Sequence, residues 1–483
     1  MTGEGGRLTA RLATNTIVQA LGGILASVVG FFTFVAITRG LGPEAYGDFT
    51  AAMVFLFIPI AVADVGLSAA VLREIAIAPE RTQAAMRASL PLRALVSAAV
   101  MAIAVGIGVA LPFNDRTTTA VLIGSLGSFL ALMTLALLPV LQAQLRMGWA
   151  VAGNVGGRVV SLVATLAALE AGFGFDAIVW AYVAGLAVAF VVHVVGVARV
   201  VPLWPPVADR VYWRGLFVGS LVIGLAIAIS QIYFRVDTLL LALIRSSEEV
   251  GFYGAAYKFI EVVQVLSATV AISMFPALAN FIASGDRRAR QLVQKVFDVL
   301  VAGGVFTAVL MLAYPEEIIT LTAGPEFRDA APALQLLAPW ALFGFVNGAL
   351  WRVLLASRHD TALLASSGGV LILNVALNLA LLPAYGFKAA AVVSVVSEAA
   401  VLVPVALVIR RDGLLPGLRY LPPVAVAGAA LTAIVWVVPG PAAVVGTLGA
   451  AVYAAILLAA PGAVREIARS LLPQHLRLLR SGP

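Results

Sequence analysis

The sequence predicts an all-α polytopic membrane protein of about fourteen transmembrane helices. Three observations carry that expectation. Hydrophobic residues fill 62% of the 483 positions and charged residues only 11%, at a mean hydropathy of +1.04, whereas soluble domains carry about 25% charged residues. No water-soluble fold hides that much apolar surface. The apolar residues fall in runs of about 20, the length a helix needs to cross a bilayer. The alternating segments of about ten residues that mark a transmembrane barrel are absent. Finally, lysine and arginine crowd every second loop, as they do in helical membrane proteins.

Polar or Gly/Pro-containing breaks divide the chain into spans centred near Val28, Ile58, Ala102, Leu130, Leu162, Ala187 and Leu225. The series continues at Leu266, Gly304, Leu342, Leu371, Val395, Ala429 and Ala450. Loops between them are short and no soluble domain is appended. The first run, about Ala13 to Thr38, is too long for the h-region of a signal peptide and reads as a span. The expected organisation is residues 1–205, residues 206–412 and a C-terminal pair of spans with a basic tail, 413–483.

The positions of the basic residues orient these spans. One side receives Arg7, Arg11, Arg73, Arg81, Arg87, Arg93, Arg146, Arg199, Arg210 and Arg214, and then every later basic loop through Arg465, Arg469, Arg477 and Arg480. That side holds 23 of the 31 basic residues. The other side holds Arg39, Arg116, Arg245, Arg328 and Lys388. By the positive-inside rule both termini are cytoplasmic, which requires an even number of spans. The net charge of +7 is therefore a topology signal and does not point to nucleic acid. The tail from Arg465 to Arg480 can also rest on anionic membrane lipid.

A phrase in the first half returns in the second. Gly47-Asp48-Phe49-Thr50-Ala51-Ala52 recurs as Gly251-Phe252-Tyr253-Gly254-Ala255-Ala256, a shift of 204 residues, and Glu44 and Glu248 keep the same offset. Both copies lie on the poorly basic side, between spans one and two and between spans seven and eight. A shift near half the length, in so apolar a chain, is the organisation of a transporter built from repeats.

Around these residues the sequence resembles a known family. Arg39-Gly-Leu-Gly-Pro-Glu-Ala-Tyr-Gly47 with Ala63-Asp64-Val65-Gly66-Leu67 looks like the opening of the polysaccharide transport family. This family comprises oligosaccharide-lipid flippases within the multidrug/oligosaccharidyl-lipid/polysaccharide exporter superfamily. Val236-Asp237, Phe275-Pro276 at the end of span eight, Ala323-Gly-Pro-Glu-Phe327, and Asn378-Leu-Ala-Leu-Leu-Pro383 with Gly386 and Ala389-Ala390 extend the match over residues 10 to 410. Each motif marks a turn or helix end, and their order is more specific than any one of them. The resemblance implies two pseudo-symmetric six-helix bundles around a central cavity, with two accessory helices that form a lipid-side groove. It also implies a cargo of polyprenyl-pyrophosphate-linked oligosaccharide, moved to the outer leaflet of the cytoplasmic membrane by alternating access. Glycan polymerase or glycosyltransferase partners follow from that role.

A charge at mid-bilayer is costly, so it faces a cavity or a partner. Arg235, Arg158, Lys258 and Gln231 are the substrate candidates, because guanidinium and ammonium groups suit phosphate oxygens. Arg158 lies nearer the cytoplasmic end on this reading, where snorkelling is the rival. Lys258 and Glu261 share a helix face, so mutual neutralisation competes with a cargo role. Asp64, Asp237, Glu261 and Glu398 are the candidates for binding a coupling ion. Asp64 could instead cap a helix break near Gly66, the role the resemblance favours, and Asp237, near the outer end, is expected to be hydrated. Asn374 and Asn378 form a polar stripe suited to hydrogen bonds between helices.

Zero cysteines exclude disulfides and thiol chemistry, and His193, His359 and His475 have no ligand-like spacing. No metal site or cofactor is expected. Two other readings stay open. One is a multidrug or peptidoglycan-precursor (lipid II) exporter of the same superfamily. The other is a membrane enzyme, a polymerase or ligase of lipid-linked sugars; it is disfavoured because the chain has no large outer loop bearing acids or histidine and no catalytic cluster.

Overall fold

The computed structural model describes residues 2–64, 66–357, 359–462 and 464–466, and among them every regular element is helical. Helix α1 runs over Thr2–Asp64, α2 over Leu67–Ile77, α3 over Thr82–Ala110, α4 over Asp115–Ala143, α5 over Met147–Glu170 and α6 over Phe175–Ala198. Then come α7 (Arg210–Tyr233), α8 (Val236–Ile244), α9 (Ser247–Ala283), α10 (Arg288–Ala313) and the short α11 (Pro315–Thr322). The last five are α12 (Ala331–Ala356), α13 (Asp360–Tyr385), α14 (Phe387–Arg411), α15 (Leu421–Val437) and α16 (Ala442–Ala459). Each centre expected from the sequence falls inside a helix. Ten helical stretches among the described residues are long and apolar enough to cross a membrane.

Helix boundaries depart from the sequence reading at places with a physical cause. Spans one and two form one long kinked helix, because Gly42 adopts φ 75° and Pro43 restarts the coil. A left-handed glycine followed by proline turns the axis without a loop. Span two then breaks after Asp64, where Gly66 takes φ 73° and α2 begins. Span seven breaks at Arg235, whose φ of −131° separates α7 from α8. The Phe275-Pro276 pair falls inside α9, not at the end of its span. Val65, Arg358, Arg469, His475, Arg477 and Arg480 lie outside the described residues, as do the side chains of Arg7, Arg11 and Pro276.

The helices gather into two compact units. Unit 1 comprises residues 1–254 with 378–386. One of its cores packs Leu67, Met86, Leu141 and Val197 from α2, α3, α4 and α6. Another packs Phe55, Val121 and Val179 from α1, α4 and α6. Helix α7 is fastened by polar contacts: Trp213 Nε1 donates to the Ala88 carbonyl at 2.7 Å and Tyr212 Oη to Glu74 at 2.7 Å.

Unit 2 comprises residues 255–377 and 387 onward. Phe297, Val301, Val424, Leu431 and Leu457 make one core of α10, α15 and α16. Tyr453 Oη on α16 donates to the Ala302 carbonyl on α10 at 2.7 Å. Asn347 Nδ2 on α12 donates to Glu398 on α14 at 2.7 Å, and Asn374 Nδ2 on α13 donates to Ser397 Oγ at 3.1 Å. Amides and carboxylates that an apolar medium cannot solvate thus find one another across helices.

Candidate functional site

The two copies of the repeated phrase meet inside unit 1. A Cβ added to Gly47 would strike the Ser247 carbonyl, and one added to Gly251 would strike the Pro43 carbonyl. Pro43 and Ser247 are themselves related by the 204-residue shift. The contact is therefore reciprocal: each copy presents its glycine to the other copy's carbonyl, as at a two-fold axis. Thr50 and Gly254, again 204 apart, approach within 3.1 Å of each other at the same crossing, measured from a Cβ built on Gly254. Only glycine lets the backbones come this close. Beside the crossing, Asp48 is fully buried and accepts from Asn114 Nδ2 at 2.7 Å and Thr117 Oγ1 at 3.1 Å, with Arg116 at 3.9 Å. Asn114 Nδ2 also donates to Ser247 Oγ at 3.2 Å, bridging the two hairpins.

Elsewhere in unit 1, two of the four substrate candidates lie against α1. Arg158 sits at the middle of α5, about 17 Å along the helix from Met147. It lies against the backbone of α1 at Gly30, where any Cβ would strike its guanidinium. Arg235 sits at the α7–α8 break, its guanidinium 5.3 Å over the Phe57 ring of α1. Tyr182 of α6 also packs against α1, its ring edge-on to Phe49 at 6.1 Å. Arg158 is exposed, with no carboxylate in ion-pair distance among the described residues. The arrangement offers two cationic forks and a phenol, the donor set that suits a phosphate or diphosphate.

The other candidates have partners of their own. Asp64 Oδ1 receives Arg93 Nη1 at 2.9 Å and Ser68 Oγ at 2.6 Å, and Arg93 Nη2 donates to Ser68 Oγ at 2.9 Å. Sequence reasoning placed Arg93 in a cytoplasmic loop; it lies within α3 and is 3% exposed, because Asp64 at the end of α1 supplies the opposite charge there. Asp237 is 2% exposed rather than hydrated. The break at Arg235 points it inward, where Tyr253 Oη donates to it at 2.6 Å. Lys258 Nζ and Glu261 pair at 2.6 Å on α9. Glu398 is buried against Asn347. Gln231 is exposed one turn before Arg235.

Tyr182, Phe57, Arg93 and Asp48 were not singled out from the sequence. For Tyr182 the signal was available: it is a lone phenol within the strongly apolar stretch Ala181–Val192. For Arg93 the only signal was that Asp64 needed a cation somewhere.

A family model described as polysaccharide biosynthesis protein matches residues 12–282, and a MatE model matches residues 223–380. A probable low-salt glycan biosynthesis flippase, Agl15 of Haloferax volcanii, is 22% identical over 399 residues, which is 80% of this chain and 81% of the relative. The fold is similar to that of the lipid II flippase MurJ in an inward closed conformation. The TM-score is 0.74 at 12% identity, over 92% of this chain and 99% of that one. It is also similar to an inward-facing multidrug resistance MATE family transporter of the MOP superfamily, with a TM-score of 0.61 at 13% identity, over 83% of this chain and 98% of that one. With these likenesses, the apolar helices are the spans of a multi-pass membrane protein.

Proposed function

The chain belongs to the polysaccharide biosynthesis protein family, and from that membership we propose that it is a flippase for a polyprenyl-pyrophosphate-linked oligosaccharide. It carries this cargo from the inner to the outer leaflet of the cytoplasmic membrane by alternating access, with residues 1–205 and 206–412 as the repeated halves. It acts as a transporter and not as an enzyme. The glycan flippase relative supports the substrate class. The alternation of basic loops supports cytoplasmic termini. Glycosyltransferases that build the cargo and a polymerase that consumes it are its metabolic partners.

One observation carries the cargo site: Arg158 and Arg235, from α5 and the α7–α8 break, both lie against α1, at Gly30 and over the Phe57 ring. A lipid-linked sugar crosses the bilayer only if its diphosphate is shielded, and two guanidinium forks within the membrane-spanning helices would provide that shielding. The Arg235 guanidinium lies over the Phe57 ring, a cation–π contact that helps position one fork. Asp64, Asp237, Glu261 and Glu398 each already receive a hydrogen bond or an ion pair, so we assign them to fastening helices ahead of ion coupling. The test is complementation of surface glycan by Arg158→Ala and Arg235→Ala variants. Lost glycan at normal protein level supports the reading, and normal glycan from both variants overturns it.

A further inference from the structure

Unit 2 holds a second polar site, at the end that the basic loops assign to the cytoplasm. A cavity of about 610 Å³ lies between α10, the segment before α15 and the segment after α16; Gln294, Lys295, Asp298, Arg419, Tyr420 and Glu466 line it. Its wall is fixed. Gln294 Nε2 donates to the Gly417 carbonyl at 2.9 Å and to Asp298 Oδ1 at 2.7 Å, while Gln294 Oε1 accepts from Gly417 N at 2.6 Å. Lys295 is taken by Glu466, 2.7 Å away.

Two groups in this cavity lack what their burial requires. Tyr420 is 5% exposed, and its hydroxyl makes no hydrogen bond among the described residues. Burial and the nearby Asp298 charge push the phenol up from its usual range, so it stays a donor. Asp298 is 6% exposed, it accepts a hydrogen bond from the neutral Gln294 amide, and Arg419, which lines the same cavity, is exposed. A buried hydroxyl without an acceptor and a buried carboxylate without a bonded cation are both costly. One ligand satisfies both if it brings an anionic oxygen for Tyr420 and Arg419 and an ammonium for Asp298.

We propose that this cavity holds the headgroup of a zwitterionic phospholipid of the ethanolamine type, its phosphodiester on Tyr420 and Arg419 and its ammonium on Asp298. Position favours a lipid over a soluble ligand. The polar part of α10 ends at Asp298 and the helix is apolar from Val299 onward, so the cavity lies at the level where headgroups meet acyl chains. The core of α10, α15 and α16 continues directly from it. An anionic lipid with a glycerol headgroup offers Asp298 hydroxyl donors but no cation, and its net negative charge is repelled by the carboxylate. The site is independent of the Arg158–Arg235 pair and of the cargo reading.

The test loads the full-length protein with equal amounts of phosphatidylethanolamine and phosphatidylglycerol of identical chains and reads retained lipid by native mass spectrometry. The wild type is expected to prefer the ethanolamine lipid about tenfold, the ratio corresponding to about 1.4 kcal/mol. Asp298→Asn abolishes the preference, and Tyr420→Phe lowers retention of both lipids about equally. Equal retention of the two lipids by the wild type overturns the proposal. So does retention in Tyr420→Phe that matches the wild type, a variant that removes one oxygen and decides the matter even if Asp298→Asn fails to fold. No retained lipid at all also overturns it.

Discussion

Arg93 and Arg158 both lie inside helices of unit 1, and they differ in what faces them. Arg93 is sealed from solvent, bonded to Asp64 and Ser68, and ties α3 to the break between α1 and α2. Arg158 is exposed and rests on bare backbone at Gly30. A membrane charge that has spent its donors on a carboxylate is architecture. One that keeps its donors on an open face is available to an anionic ligand. The same residue type thus does two jobs within one unit, and each can be tested against the other.

The largest expected effect is on the paired arginine. Arg93→Ala strands the Asp64 charge, and loss of one partner from a buried pair costs about 3–5 kcal/mol. Thermal unfolding of the purified variant checks this. The double variant Arg93→Met with Asp64→Leu should recover much of the loss. If Arg93→Ala unfolds like the wild type while Arg158→Ala collapses, the comparison is reversed.

Next come the two candidate cargo arginines. Arg158→Ala and Arg235→Ala each remove charge-assisted hydrogen bonds of about 1.5–3 kcal/mol, so cargo affinity should fall about 10- to 100-fold with the unfolding midpoint unchanged. The glycine crossing is predicted to cost about 1–3 kcal/mol when overpacked. Gly47→Leu and Gly251→Leu should cost similar amounts, because each glycine meets the other copy's carbonyl. Strongly unequal losses would break the reciprocal picture. The smallest effect belongs to Lys258→Gln. Its ion pair with Glu261 is 29% and 26% exposed, so the change should shift stability by under about 1 kcal/mol.

Much of the fold was legible because hydropathy and charge alternation are local signals that the bilayer imposes strongly. The repeated phrase was legible as a shift of 204 residues, but the reciprocal glycine contact is a long-range fact that no local pattern carries. Arg93 was hidden for a related reason. Charge counting assigns an arginine to the nearest loop, and the acid that draws it into α3 lies 29 residues away. Asp237 was misread because its environment depends on the break at Arg235, a backbone turn made by a residue with no special propensity for one. Of the site, Arg158 and Arg235 were visible as charges in apolar runs. Phe57, which lies under Arg235, was visible only as an ordinary aromatic in a span.

The most direct measurement is flipping of a fluorescent polyprenyl-diphosphate oligosaccharide in proteoliposomes, comparing wild type with the Arg158→Gln/Arg235→Gln double variant. The shared arginine site predicts that the double variant falls to the protein-free rate while its unfolding midpoint stays at the wild-type value. Flipping at the wild-type rate by the folded double variant would contradict it.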